Sequence, residues 1–303
     1  MFFWLCSSSL PSLCFSSYGR DQVIGESTGK VALLTCASMV AFAGNSLLAR
    51  MAMDTTSIDA ASFTAIRIVS GALTLLAIML FRRQRPGRLR DGWLPAVLLF
   101  TYAAAFSFAY RNMETGAGAL VLFAAVQLLM ISYGIVRGER TSWIGLLMAC
   151  AGLVVFLAPG ASTPPLGAAT VMALAGFAWG AFSLSGRPGE SPLAGTALSF
   201  LLAIPLALAL MLLQYRSLSL DQAGVVYALV SGVLTSGIGY VIWYWVRVRL
   251  AAISAGAVQL SVPVISAVLG VLVLGEQVSA RAAVSALFVL GGIGVVLLTA
   301  RRR

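Results

Sequence analysis

Ten apolar runs, set apart by short polar turns, constrain this chain more than any other feature. They cover roughly residues 31–53, 58–81, 93–110, 116–136, 142–159, 167–186, 194–214, 223–246, 252–274 and 281–299. A helix needs about 20 residues to cross about 30 Å of hydrocarbon, so each run is read as one span, with the fifth the weakest. Turn signals separate them: Arg85-Pro86-Gly87, Thr163-Pro164-Pro165, Arg187-Pro188-Gly189. The chain is 60% hydrophobic and 10% charged, against about 25% charged in a soluble domain. No water-soluble core hides that much apolar surface, so the expected fold is an all-α integral membrane protein of ten transmembrane helices covered by lipid.

The two halves resemble each other. Ala117-Gly118-Ala119-Leu120 leads through an apolar run to Arg137-Gly138-Glu139, and Ser254-Ala255-Gly256-Ala257 leads to Leu274-Gly275-Glu276. The expected organisation is an amino-terminal extension over residues 1–30, a first repeat over 31–160 and a second over 161–300. Five spans per repeat is an odd number, so the second repeat enters the membrane in the opposite sense. Such inverted repeats enclose a midplane site that each side of the membrane can reach in turn.

Charge sets the orientation. With the amino terminus cytoplasmic, the outer loops hold Arg50, Arg111, Arg216 and Arg281, and Arg67 lies within a run. The rest of the 20 basic residues fall on the inner side. Both termini are therefore expected in the cytoplasm, with the chain in the cell inner (plasma) membrane. The net charge of +10 does not point to nucleic acid, because the basic residues sit in small clusters between apolar runs. Residues 1–30 are Ser-rich, broken by Pro11 and without a basic start, which suggests a disordered or interfacial extension or a misassigned start of translation.

Arg67 is the tenth residue of its run, so it lies ~15 Å from the outer end at ~1.5 Å per residue, near the midplane. A cation there costs at least ~2.5–3.5 kcal/mol unless it is paired or faces water. No run carries an Asp or Glu at that depth. Its partner is then a polar side chain, backbone carbonyls or the carboxylate or phosphate of a solute, and a structural clamp on helix ends fits the pattern as well as a binding site. Asn45, Gln127 and Gln259 are amides within runs that can line a cavity or bond between helices. Trp179, Tyr240 and Tyr102 offer aromatic surface suited to an amphipathic solute. Trp243 and Tyr244, near Arg247, read as an interfacial belt. Pro263 interrupts the ninth run and kinks its helix. Glu139 and Glu276 follow the fourth run of each repeat, where a carboxylate starts the next helix or serves in gating. Gly176 and Gly180 form a small-residue face suited to packing within the chain.

The order of these features is similar to that of the drug/metabolite transporter superfamily, in its EamA-like ten-helix form. The resemblance covers residues 31–300. It rests on Gly239-Tyr240, Trp243-Tyr244, Leu250, Ser254-Ala255, Pro263-Val264 and Leu274-Gly275-Glu276 in the second half, and on Asn45, Arg67 and Arg137-Gly138-Glu139-Arg140 in the first. The chain departs from the family pattern twice: Val126-Gln127 stands where the second half has Pro263, and Ala43-Gly44 where it has Trp179-Gly180. The resemblance implies ten helices and transport of a small molecule.

Other function classes find less support. A serine or metal peptidase needs histidine, and there is none; Asp54 and Asp59 share one loop rather than two helices. Cys6, Cys14, Cys36 and Cys150 have no metal or disulfide spacing. No Gly-x-x-x-x-Gly-Lys-Ser/Thr pattern calls for a nucleotide, so no cofactor and no metal are expected. The expectation is a non-enzymatic secondary transporter, exporting a small metabolite or drug, whose partners are its solute and the lipid bilayer, as monomer or homodimer. A non-transporting scaffold or receptor, or an intramembrane enzyme, are the alternatives.

Overall fold

The computed structural model describes residues 28–84, 89–138, 142–157, 164–186, 191–250 and 252–301. All regular structure among them is helical: α1 (Thr28–Thr55), α2 (Ala60–Phe81), α3 (Leu89–Ala109), α4 (Thr115–Val136), α5 (Trp143–Leu157), α6 (Leu166–Leu184), α7 (Pro192–Leu213), α8 (Gln222–Val230), α9 (Gly239–Arg247), α10 (Ala252–Val258), α11 (Ser261–Leu274) and α12 (Ala280–Arg301). A π-helical segment, Ser231–Ile238, joins α8 to α9, and one 3-10 turn, Tyr215–Ser217, follows α7.

Among the described residues, eight helices are long and apolar enough to cross a membrane, the α8–α9 and α10–α11 pairs each counting as one: Gly29–Thr55, Ala60–Phe81, Gly92–Ala109, Thr115–Val136, Leu166–Leu184, Pro192–Leu213, Gln222–Arg247 and Ser254–Leu274. The fifth and tenth apolar runs give shorter apolar stretches, Trp143–Gly152 and Ala280–Val296. The reading of ten full-length spans is thus met, among the described residues, by eight helices long and apolar enough to cross and two shorter apolar stretches, in α5 and α12. Their outward residues are apolar: Leu80, Leu147, Val154, Leu212, Leu272 and Leu287 are all more than 60% exposed. Apolar surface on this scale marks a surface that lipid covers. The chain is a multi-pass membrane protein.

Local chemistry sets the helix ends. Asp59 accepts from the Ala61 and Ser62 amides, each at 2.9 Å, to start α2. Asp221 accepts from Gly224 at 3.2 Å to start α8, and Ser279 accepts from Ala282 at 3.1 Å to start α12. These side chains satisfy amides that a first turn leaves open. Gly275 closes α11 at φ 67°, a left-handed conformation that glycine adopts without strain.

Packing runs mainly between the halves. The most extensive helix pairs join residues 31–160 to residues 161–300: α5 with α12, α3 with α6, α4 with α6, α2 with α7, α3 with α7, α2 with the π segment, α4 with α11, and α1 with α9 and α11. Glycines allow the closest approaches. A Cβ on Gly176 would stand 2.3 Å from the Leu122 carbonyl oxygen, so Gly176 packs α6 on α4 within the chain.

Candidate functional site

The centre of the bundle is polar, and it begins with a glycine. At Gly232 the π segment lies so close to α2 that a Cβ would meet Ser70 Oγ and the Arg67 carbonyl oxygen. That approach brings Ser231, Thr235 and Ser236 against α1 and α2. A π segment widens the turn and recurs at functional sites.

Arg67 is 1% exposed. Its Nε donates to Ser236 Oγ at 2.9 Å, and its Nη2 donates to the hydroxyls of Tyr240 at 2.7 Å and Tyr102 at 3.1 Å. The guanidinium carbon lies 5.1 Å from the ring centres of both Tyr102 and Phe106. Nη1 has no hydrogen-bond partner among the described residues. Tyr102 passes the network on, since its hydroxyl also accepts from Asn45 Nδ2 at 3.1 Å. Asn45 Oδ1 then accepts from Ser231 at 2.7 Å and Thr235 at 3.1 Å. Each interhelical bond of this kind stabilises by about 0.6 to 2 kcal/mol. Together they tie α1, α2 and α3 to the π segment and α9.

Aromatic rings enclose this network. Trp179 lies 4.6 Å from Tyr240 and 5.0 Å from Tyr102, and Phe42 meets Trp179, Tyr240 and Trp243 edge-on at 5.2–6.0 Å. Trp243 and Tyr244 do not form an interfacial belt. Both are buried; Trp243 donates to Ser183 Oγ at 3.4 Å, and the Tyr244 hydroxyl donates to the Phe182 carbonyl at 2.5 Å. Their helix turns its aromatic face inward, a direction that proximity to Arg247 does not reveal.

The amides have separate partners. Gln259 Oε1 accepts from the Trp179 indole at 2.9 Å, and its Nε2 donates to the Ala255 carbonyl at 3.1 Å. Gln127 Nε2 donates to the Gly256 carbonyl, while its Oε1 has no partner among the described residues. These three bonds hold the α10–α11 junction. There, α10 ends at Val258 and α11 begins at Ser261, with Pro263 in its first turn. A proline crowds the carbonyl four residues earlier and supplies no amide to it, and that residue is Gln259. The ladder tightens instead to Gln259 N–Gly256 O and Val262 N–Gln259 O, each 3.1 Å.

Two spaces accompany these residues. Tyr102 and Trp179 line a cavity of about 10 Å³ with Phe42, Ser46, Phe106, Leu122 and Phe123, the room of about one water. In this conformation the aromatic centre is closed around its own hydrogen bonds. A larger groove of about 710 Å³ lies between the start of α4 and helices α11 and α12, and Pro263, Glu114 and Glu276 line it. Arg67, Asn45, Gln127, Tyr240 and Gln259 border neither space.

Glu276 does not start the helix that follows it. Its oxygens accept from the Thr115 amide at 2.9 Å and the Thr115 hydroxyl at 3.0 Å, which caps α4 in the other half, while Ser279 starts α12. Arg50 Nε lies 3.4 Å from Glu276, and Arg50 also pairs with Asp54 at 2.9 Å. Partial desolvation, then the nearby Glu276 charge, raises the carboxyl of the exposed Glu114 above its ordinary value, and Arg50 opposes this. Glu139 lies outside the described residues.

Sequence reasoning missed Ser231, Thr235 and Ser236 as network members, although Ser231-Gly-Val-Leu-Thr-Ser-Gly237 is a polar island in an apolar run. It also missed Arg50 and Thr115 as partners of Glu276, for which no local signal exists.

Comparison with known proteins agrees with this architecture. The model of the EamA-like transporter family matches residues 166–298. An uncharacterized protein of Pseudomonas aeruginosa is 51% identical over 269 residues, covering 88% of this chain and 93% of that protein. A crystal structure of a protein 19% identical in sequence shares the fold, with a TM-score of 0.68 over 90% of this chain and 99% of that one. Residues 166–298, most of the second half of the chain, belong to the EamA-like transporter family.

Proposed function

We propose that the protein is a secondary transporter that exports a small metabolite or drug across the cytoplasmic membrane by alternating access. In this reading ten helices form two inverted five-helix repeats with both termini in the cytoplasm. The observation that carries it is the Arg67 network, in which α2 and α3 of the first half meet Ser236 and Tyr240 of the second over a fully buried charge. A charge at membrane depth between two halves is a functional site by default.

The packing pattern supports the inverted repeat. Pair each helix with its counterpart in the other half: α1 with α6, α2 with α7, α3 with α8–α9, α4 with α10–α11, α5 with α12. Exchanging counterparts turns the α3–α6 contact into α9–α1, α4–α6 into α11–α1, and α3–α7 into the contact of α2 with α8 and the π segment. The pairs α2–α7, α4–α11 and α5–α12 map onto themselves. A two-fold relation between the halves produces such a set, and repeats with an odd number of spans then run in opposite senses.

The test is a growth screen of an expressing strain against amino acids, nucleosides and drugs, beside an Arg67→Ala strain matched for membrane abundance. Resistance or release that depends on Arg67 supports the reading. No solute-dependent difference, followed by no flux in liposomes, would remove it.

A further inference from the structure

We infer that the solute of the Arg67 site is a small organic monoanion, a carboxylate with an apolar body, whose charged group is received by Arg67 Nη1. The inference rests on the transporter reading and assigns a substrate class to it.

Three observations carry it. The guanidinium is buried, yet its hydrogen-bond acceptors are hydroxyls: Ser236, Tyr102 and Tyr240. Hydroxyls satisfy N–H groups without cancelling charge, and no described carboxylate pairs with Arg67, since the described ion pairs belong to Arg50. The second observation is Nη1 itself, buried and without a hydrogen-bond partner among the described residues. Arginine keeps its proton in proteins, so this donor cannot be removed by neutralisation. The third is the surroundings. Tyr102 and Phe106, on which the guanidinium lies, also border the small cavity with Phe42 and Trp179.

A carboxylate supplies what this arrangement lacks: one negative charge and an acceptor for Nη1, joined in a charge-assisted bond. A cation would set like charges side by side in a medium that screens them poorly. A neutral solute would leave the charge uncompensated, and a dianion would exceed the single positive charge. The rings take an apolar body. The cavity has the volume of about one water, so the solute enters only when the halves part, and Nη1 then becomes accessible together with the rings.

The experiment uses the purified full chain with four probes of one shape: benzoate, benzamide, benzylammonium and phenyl phosphate. Benzoate is expected to raise the unfolding temperature and the other three to raise it less or not at all. Arg67→Gln is expected to weaken benzoate binding about ten- to a hundredfold, the effect of losing a hydrogen bond to a charged group, and Arg67→Lys to recover part of it. An equal response to benzamide, a response unchanged in Arg67→Gln, or no response to benzoate would overturn the assignment. If Arg67→Gln does not fold, the benzoate–benzamide comparison on the native chain decides. Counterflow in liposomes separates the two readings: flux of neutral or cationic solutes retained in Arg67→Lys or Arg67→Gln removes the anion while leaving transport, and benzoate binding without flux of any solute removes transport.

Discussion

Glu276 closes the amino-terminal end of a helix 161 residues upstream: both of its carboxylate oxygens lie 2.9 Å from the Thr115 backbone nitrogen. A helix start leaves amides open and carries partial positive charge, so a carboxylate there is favoured twice. Glu276→Ala should destabilise the folded protein by about 1–2 kcal/mol, the scale of a lost cap. Glu276→Gln should cost less, since its amide oxygen can still accept. Unfolding in detergent measures both, and equal effects would show that the Thr115 bond contributes little.

Tyr102 serves two donors, Arg67 and Asn45, whereas Arg67 Nη2 keeps Tyr102 when Tyr240 is lost. Tyr102→Phe leaves the Asn45 amide without this partner and should cost about 1–3 kcal/mol. Tyr240→Phe should cost less. The same unfolding measurement checks the order, and the reverse order would place the centre of the network at Tyr240.

Gly176 and Gly167 share α6 but not their surroundings. A Cβ at position 176 would meet the Leu122 carbonyl at 2.3 Å, while one at position 167 meets nothing within 4 Å. Gly176→Ala should destabilise by about 1–3 kcal/mol through overpacking. Gly167→Ala should stay within about 0.5 kcal/mol, as surface changes do. Similar yields and melting temperatures for the two variants would contradict the α4–α6 contact.

Glu114 is exposed, but partial desolvation and, after it, the nearby Glu276 charge raise its carboxyl above the ordinary value. The folded state therefore takes up this proton before the unfolded chain does. That contribution to stability is present at low pH and is lost as pH rises through the folded-state value. Glu114→Gln should raise the melting temperature at neutral pH, with the gain vanishing below the ordinary carboxylate range. Melting curves across pH test the sign; a variant less stable at neutral pH would reverse it.

Orientation is open to labelling. In a chain whose four native cysteines are replaced by Ser, Ser217→Cys should react with an impermeant reagent from outside. Gln84→Cys should react only after permeabilisation. Both residues are exposed at loop positions, and the opposite pattern would invert the charge-based assignment.

What could be read in advance depended on the kind of interaction. Arg67 stood out because an unpaired cation within an apolar run is costly wherever its helix packs. Pro263 stood out because it has no amide to donate, whatever surrounds it. Trp243 and Tyr244 were misread because an aromatic ring near a basic helix end suits a membrane interface as well as a core, and only the packing of Trp243 on Phe42 and of Tyr244 on Phe182 decides between them. Glu276 was assigned to the wrong helix because a carboxylate can cap any helix start within reach, and Thr115 is near it only after folding.

The chain alone determined that lipid covers it, where its helices run, and that one cation lies deep among them, since these follow from hydropathy, length and charge summed along the sequence. Tertiary structure decided which hydroxyls meet Arg67, which helix Glu276 caps and which rings face inward. Those outcomes depend on how each helix is rotated about its axis and on contacts between residues as far apart as Arg67 and Tyr240, and an apolar helix in an apolar solvent carries no local record of either.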